Sequence, residues 1–156
     1  LCKFPDHGII FTGVNADIGR KAVAEKIEEF ARSEPLRVLA VLSLGQLRYL
    51  SALRHAEAVI GNSSSGIIEA PFFGIPTVNI GARQRGRIRA DSVIDVEARE
   101  ADIVSGIVWA TSPEYKAIAS RAASIFGDGA ASDRIVGILA DCDLRAVLMK
   151  KFVDLT

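Results

Sequence analysis

Three consecutive serines stand between two glycines in Gly61-Asn62-Ser63-Ser64-Ser65-Gly66, and a carboxylate, Glu69, follows three residues later. An apolar run, 58–60, precedes them and Ile67-Ile68 follows. Serine competes with the backbone for hydrogen bonds and favours caps and turns over helix interiors, so the run marks a strand handing over to a helix. A helix start presents unpaired N–H groups and partial positive charge, which attract phosphate. Serine hydroxyls add donors without bulk, and the glycines let a ligand approach the backbone closely. Glu69 comes four residues after Ser65 and shares its helix face. A carboxylate repels phosphate but suits a pair of sugar hydroxyls one turn on. The pattern therefore reads as diphosphate on the serines and ribose on Glu69. It equally allows one serine as an ordinary N-cap, with Glu69 capping or in solvent.

A second group, Gly81-Ala82-Arg83-Gln84-Arg85-Gly86-Arg87, carries three arginines in five residues after another predicted strand. Guanidinium forks recognise phosphate, and the glycine lets the loop wrap around it. An isolated basic run is more often a solvated loop. Here it follows the strand just after the serine loop, so both loops are expected to face one cleft. In a third group, Thr12-Gly13-Val14-Asn15-Ala16-Asp17, Asp17 is the expected helix cap and Asn15 a candidate contact to base or phosphate. The fourth, Phe126-Gly127-Asp128-Gly129, reads as a turn leading to an N-cap at Ser132 or Asp133.

These groups need a frame, and the chain supplies an alternating one. Strands are predicted over 7–13, 37–41, 58–60, 77–80 and 92–96. Helical spacing runs over 16–32, 47–55, 64–73, 101–110, 113–126 and 132–139. Strands alternating with helices imply an α/β fold, a parallel sheet covered by helices on both faces. In such sheets ligands bind at the carboxyl ends of the strands, where all three loops lie.

Composition limits the alternatives. The 156 residues suit one domain, with 49% apolar residues and a mean hydropathy of +0.27. Nineteen basic residues balance nineteen acidic ones, so no nucleic acid is expected as a partner through bulk charge. Cys2 and Cys142 form neither a disulfide framework nor a zinc site, which suits a reducing, cytoplasmic setting. No apolar run approaches the ~20 residues of a membrane helix, and no signal peptide is visible. The chain opens Leu1-Cys2-Lys3 without an initiator Met, so a piece of a longer polypeptide is expected.

Residues 59–87, VIGNSSSGIIEAPFFGIPTVNIGARQRGR, closely resemble the hydrolysing UDP-N-acetylglucosamine 2-epimerases of bacterial sialic-acid and related nonulosonate pathways. VNADIG before them, SLGQLRYLSAL at 43–53 and FGDGAAS near the end agree in order, so the resemblance runs from about Gly8 to Leu139. It implies two Rossmann-like domains in the arrangement of GT-B glycosyltransferases, with substrate in the cleft between them. This chain, 1–156, then corresponds to the carboxyl-terminal, UDP-binding domain. The implied UDP contacts are Asn15, Ser63, Ser64, Glu69 and Arg83.

The sequence departs from the family at two places. Phe126 stands where a Tyr is usual, and Ala82 replaces an acid that would partner the arginines. The family's acid/base carboxylates and a phosphate-binding histidine lie upstream of the matching region. Neither His7 nor His55 matches that histidine, so no catalytic residue is assigned in this chain. The resemblance implies UDP or a UDP-sugar as ligand and the missing amino-terminal domain as partner. It implies no cofactor or metal, and it is compatible with a homo-oligomer. Two other readings stay open: the carboxyl-terminal domain of a GT-B glycosyltransferase, and a non-catalytic binding module that takes up no nucleotide.

Overall fold

The computed structural model describes residues 1–13, 19–122 and 125–148. The expectations placed on Asn15 and Asp17 lie outside the described residues. The chain divides into two compact units, Leu1–Ala123 and Ser124–Thr156, where the sequence suggests one domain over 1–156.

The first unit carries strands β1 (Ile9–Phe11), β2 (Val38–Ala40), β3 (Val59–Gly61), β4 (Thr77–Ile80) and β5 (Val93–Val96). With them come helices α1 (Arg20–Ser33), α2 (Gly45–His55), α3 (Ser65–Ile68), α4 (Glu100–Ala110) and α5 (Pro113–Arg121). All described strand pairs are parallel, as alternation with helices predicts. They form two hydrogen-bonded groups, β1–β2 and β3–β4–β5. The fold is the expected Rossmann-like α/β arrangement.

Strand β4 is buried on both faces. Successive strand side chains point to opposite faces. On one face the Thr77 hydroxyl donates to the Gly66 carbonyl at 2.8 Å, and a Cβ on Gly66 would meet Thr77 Cγ2 at 2.7 Å. On the other, Val78 joins Ile107 and Ala110 of α4 in the core, with Ile94 and Val96 packed alongside. Glycine is needed at 106 as well: a Cβ there would stand 2.8 Å from Val96 and 3.1 Å from Val78. Helices thus lie on both faces of β4. Strands β1 and β2 are covered less fully. Phe11 meets Phe30 of α1 edge-on at 6.3 Å, while the facing pair Ile10 and Leu39 stays half exposed.

Three predicted boundaries need correction. The helix expected over 64–73 splits into α3 and a 3-10 turn, Ala70–Phe73. Pro71 has no N–H and its ring crowds the preceding turn, so an α-helix cannot run through it. Gly74, at φ 67°, then closes the turn in the left-handed region. The helix expected over 113–126 begins as predicted, with Ser112 accepting from Tyr115 N at 3.2 Å and Pro113 at the first position, but ends at Arg121.

In the second unit, α6 (Ala131–Asp141) starts one residue before the predicted N-cap positions, so Ser132 and Asp133 lie inside its first turn. The anchoring group is Asp128, which accepts from Ala130 N at 3.0 Å and pairs in a fork with Arg134 at 2.8 and 3.1 Å. That pairing holds the Asp128 carboxyl at about 2, below the usual carboxylate range. A short helix, α7 (Leu144–Val147), follows.

Candidate functional site

The serine loop leaves the carboxyl end of β3 at Gly61, and the arginine loop leaves the neighbouring end of β4 after Ile80. In the parallel register Gly61 lies opposite Asn79, so the two loops start side by side. They are tied at one atom. The Asn62 carbonyl accepts from Arg83 Nη1 at 3.1 Å and from Gln84 Nε2 at 2.7 Å. Arg83 is thereby held beside the residue that precedes Ser63. The two loops expected to face one cleft thus touch each other at Asn62.

Inside the serine loop the hydroxyls do different work. Ser63 Oγ accepts from Ser65 N at 3.3 Å, a local turn bond that is the bland role foreseen for one serine. Ser64 stands at the N-cap of α3, yet its hydroxyl makes no capping bond. Its backbone carbonyl accepts from Ile67 N and Ile68 N at 3.0 and 2.9 Å, so the turn is closed without the side chain. Ser65 Oγ bonds the Tyr49 hydroxyl, which α2 delivers.

Glu69 keeps the predicted relation to Ser65. Its N–H donates to the Ser65 carbonyl at 2.9 Å, one helical turn back. It then occupies the joint between α3 and the 3-10 turn, half-buried, with Oε2 enclosed and without a partner among the described residues. An enclosed carboxylate oxygen without a donor is costly.

Sequence reasoning missed Gln84. It sits between two arginines in a polar loop, yet it is only 2% exposed. Its one legible signal is its type, a neutral amide inside a basic run, able to donate to a carbonyl where arginine would bring charge. Beyond it, Asn79, Arg85, Arg89, Asp95 and Glu97 line a cavity of about 190 Å³ at the ends of β4 and β5. There Asn79 Nδ2 donates to Asp95 at 2.7 Å and Arg89 pairs with the other Asp95 oxygen. Asp95 thus neutralises one arginine of this end, although Ala82 supplies no acid.

The remaining candidates stand apart from these loops in role. His55 is exposed at the end of α2, and His7 precedes β1 with its carbonyl accepting from Arg37 at 3.4 Å. Among the described residues no cluster of three or more His, Cys, Asp or Glu side chains could hold a metal ion. No helix among them is long and apolar enough to cross a membrane.

A family profile described as UDP-N-acetylglucosamine 2-epimerase matches residues 1–140. The chain belongs to this family. A Campylobacter jejuni relative, GDP/UDP-N,N'-diacetylbacillosamine 2-epimerase (hydrolyzing), is 34% identical over 156 residues, covering 99% of this chain and 40% of that protein. UDP-N,N'-diacetylbacillosamine 2-epimerase (hydrolyzing) from Legionella pneumophila is 33% identical over 144 residues, covering 92% of this chain and 36% of the relative. The chain therefore spans less than half the length of these curated relatives. Among solved structures, a Listeria monocytogenes protein assigned as a UDP-N-acetylglucosamine 2-epimerase superposes with a TM-score of 0.65. That match is 17% identical and covers 99% of this chain and 49% of the other, so it speaks for the shared α/β fold. The family match covers both loops tied at Asn62.

Proposed function

We propose that this chain is the carboxyl-terminal, UDP-binding domain of a hydrolysing UDP-N-acetylglucosamine 2-epimerase. The observation that carries the reading is the shared Asn62 carbonyl, which holds Arg83 against the serine loop. Diphosphate is taken by Ser63, Ser64 and Arg83, and ribose by Glu69. Asn15 is a further UDP contact. A guanidinium and small hydroxyls around one anion offer charge-assisted bonds without crowding it.

In the whole protein the reaction is elimination of UDP across C1 and C2 of the sugar. The proton at C2 is removed, the C1–O bond to UDP breaks, and a glycal forms. Water then adds across the double bond and gives N-acetylmannosamine beside free UDP. The contribution of this half is to stabilise charge on the departing diphosphate with donors already in place. Acid and base groups must stand within hydrogen-bond reach of the protons they move, and we assign them to an amino-terminal domain. The location we assign is the cytoplasm, in keeping with two cysteines at separate ends of the chain. A second substrate reading draws on the names of the Campylobacter and Legionella relatives: the same reaction on UDP-N,N'-diacetylbacillosamine.

Titration calorimetry of the purified chain with UDP and with uridine tests the proposal. UDP is expected to bind well ahead of uridine, because the loops are phosphate devices. Equal binding of the two, or binding of neither, would refute the diphosphate site. The chain alone is expected to release no N-acetylmannosamine from UDP-N-acetylglucosamine, since the second wall of the cleft excludes water and fixes the sugar. Turnover that survives re-purification and is lost in Arg83→Ala would show catalytic groups within these residues.

A further inference from the structure

Tyr49 lies in the first half of α2, four residues before buried Leu53 and on the same face. That spacing turns its ring inward and carries its hydroxyl to Ser65 Oγ, across sixteen residues of chain. Ser65 directly follows Ser64. The pair therefore sits at the serine loop, although neither residue is among the UDP contacts assigned above.

Counting hydrogens shows what the pair offers. Two hydroxyls bring two hydrogens, and the bond between them uses one. One O–H remains to donate outward, whichever oxygen donates inside the pair. The phenol is the stronger acid of the two, so the favoured order is Tyr49 O–H to Ser65 Oγ. That leaves the Ser65 hydrogen available to donate to a third group. Donors in series strengthen one another when the last meets an anion. We infer that Tyr49 is a positioning residue for the diphosphate: it orients the Ser65 hydroxyl, and Ser65 supplies a further O–H to a phosphate oxygen. This rests on the proposed diphosphate site at Ser63, Ser64 and Arg83, and extends it to a residue from a different helix.

The test is calorimetry with UDP and uridine on Tyr49→Phe, Ser65→Ala and the double variant, with Ser64→Ala and Arg83→Ala beside them. Tyr49→Phe keeps the ring and removes the oxygen. It is expected to weaken UDP roughly three- to tenfold, the scale of one hydrogen bond, and to leave uridine unchanged. Ser65→Ala should weaken UDP at least as much, and the double variant no further than Ser65→Ala, because Tyr49 acts through Ser65. A purely structural Tyr49 would move UDP and uridine together. UDP affinity unchanged in Tyr49→Phe, equal loss for uridine, or additive losses in the double variant would each overturn the inference. If Tyr49→Phe fails to fold, Ser65→Ala carries the test, and wild-type UDP affinity in it has the same force. Losses in Ser64→Ala and Arg83→Ala with none in Tyr49→Phe or Ser65→Ala would reject the inference and keep the diphosphate site. No loss in any variant would reject both.

Discussion

The two parallel strand groups differ in how they are covered. Strand β4 is buried on both faces, with Thr77 against Gly66 and Val78 against α4. In the β1–β2 pair, Ile10 and Leu39 face each other in register and are 52% and 50% exposed. The serine and arginine loops both spring from the group that β4 centres, the arginine loop from β4 itself and the serine loop from its neighbour β3. A loop that must hold several donors around one anion gains from a support that cannot shift, since close-packed interiors transmit strain instead of absorbing it. The lesson is that the candidate diphosphate loops spring from the strand group that holds the most buried strand.

The largest effect should come from breaking the better-covered group. Ile67 is fully enclosed beneath the serine loop. Ile67→Ala should cost about 2–5 kcal/mol of stability by denaturant unfolding, the range for a buried large-to-small change. Leu39→Ala, on the half-exposed face, should cost well under half as much. Equal losses would mean that the two groups do not differ in the way their burial indicates.

Next is Gln84→Ala. It removes a buried donor to Asn62 and leaves the carbonyl with Arg83. A stability loss of about 1–3 kcal/mol is expected, with weaker UDP binding because the loops lose one of their ties at the Asn62 carbonyl. Unchanged UDP affinity would show that the tie does not hold the ligand geometry. Glu69→Gln sharpens the picture at the other end of α3. It should weaken UDP by about 1–3 kcal/mol, the scale of a charge-assisted hydrogen bond, while the fold survives. Wild-type binding would leave Glu69 no role in holding the ribose.

The smallest effect lies in the second unit. Asp128 has its carboxyl held at about 2 by the Arg134 fork first and the Ala130 N–H second. A carboxyl lowered on folding adds stability above its unfolded value, near 3.9, and loses it as pH falls through the folded value. The turn before α6 should therefore loosen between about pH 4 and pH 2, more in wild type than in Asp128→Asn. Amide shifts of Ala130 and Arg134 followed through that range would read it.

Much of this frame was legible in the residues. Runs such as Thr77-Val78-Asn79-Ile80 between Pro76 and Gly81 announce a strand, and alternation with helices announces parallel pairing. The serine and arginine loops were legible for the same reason, since both follow strands whose carboxyl ends must neighbour each other. The 3-10 turn at Pro71 was legible in principle from proline's missing N–H, but the apolar spacing around it masks the break. Asp128 as the anchor of α6 was hidden by two better-placed N-cap candidates, Ser132 and Asp133. The Gln84–Asn62 and Tyr49–Ser65 bonds join residues 22 and 16 apart. No periodicity encodes such contacts, because only the packed chain brings the partners together.

The central claim is that the loops joined at Asn62 form one diphosphate site. A crystal structure of the chain with UDP tests it most directly. The account predicts diphosphate oxygens within hydrogen-bond distance of Ser63, Ser64 and Arg83, with the ribose hydroxyls on Glu69. UDP bound away from these four residues would contradict it.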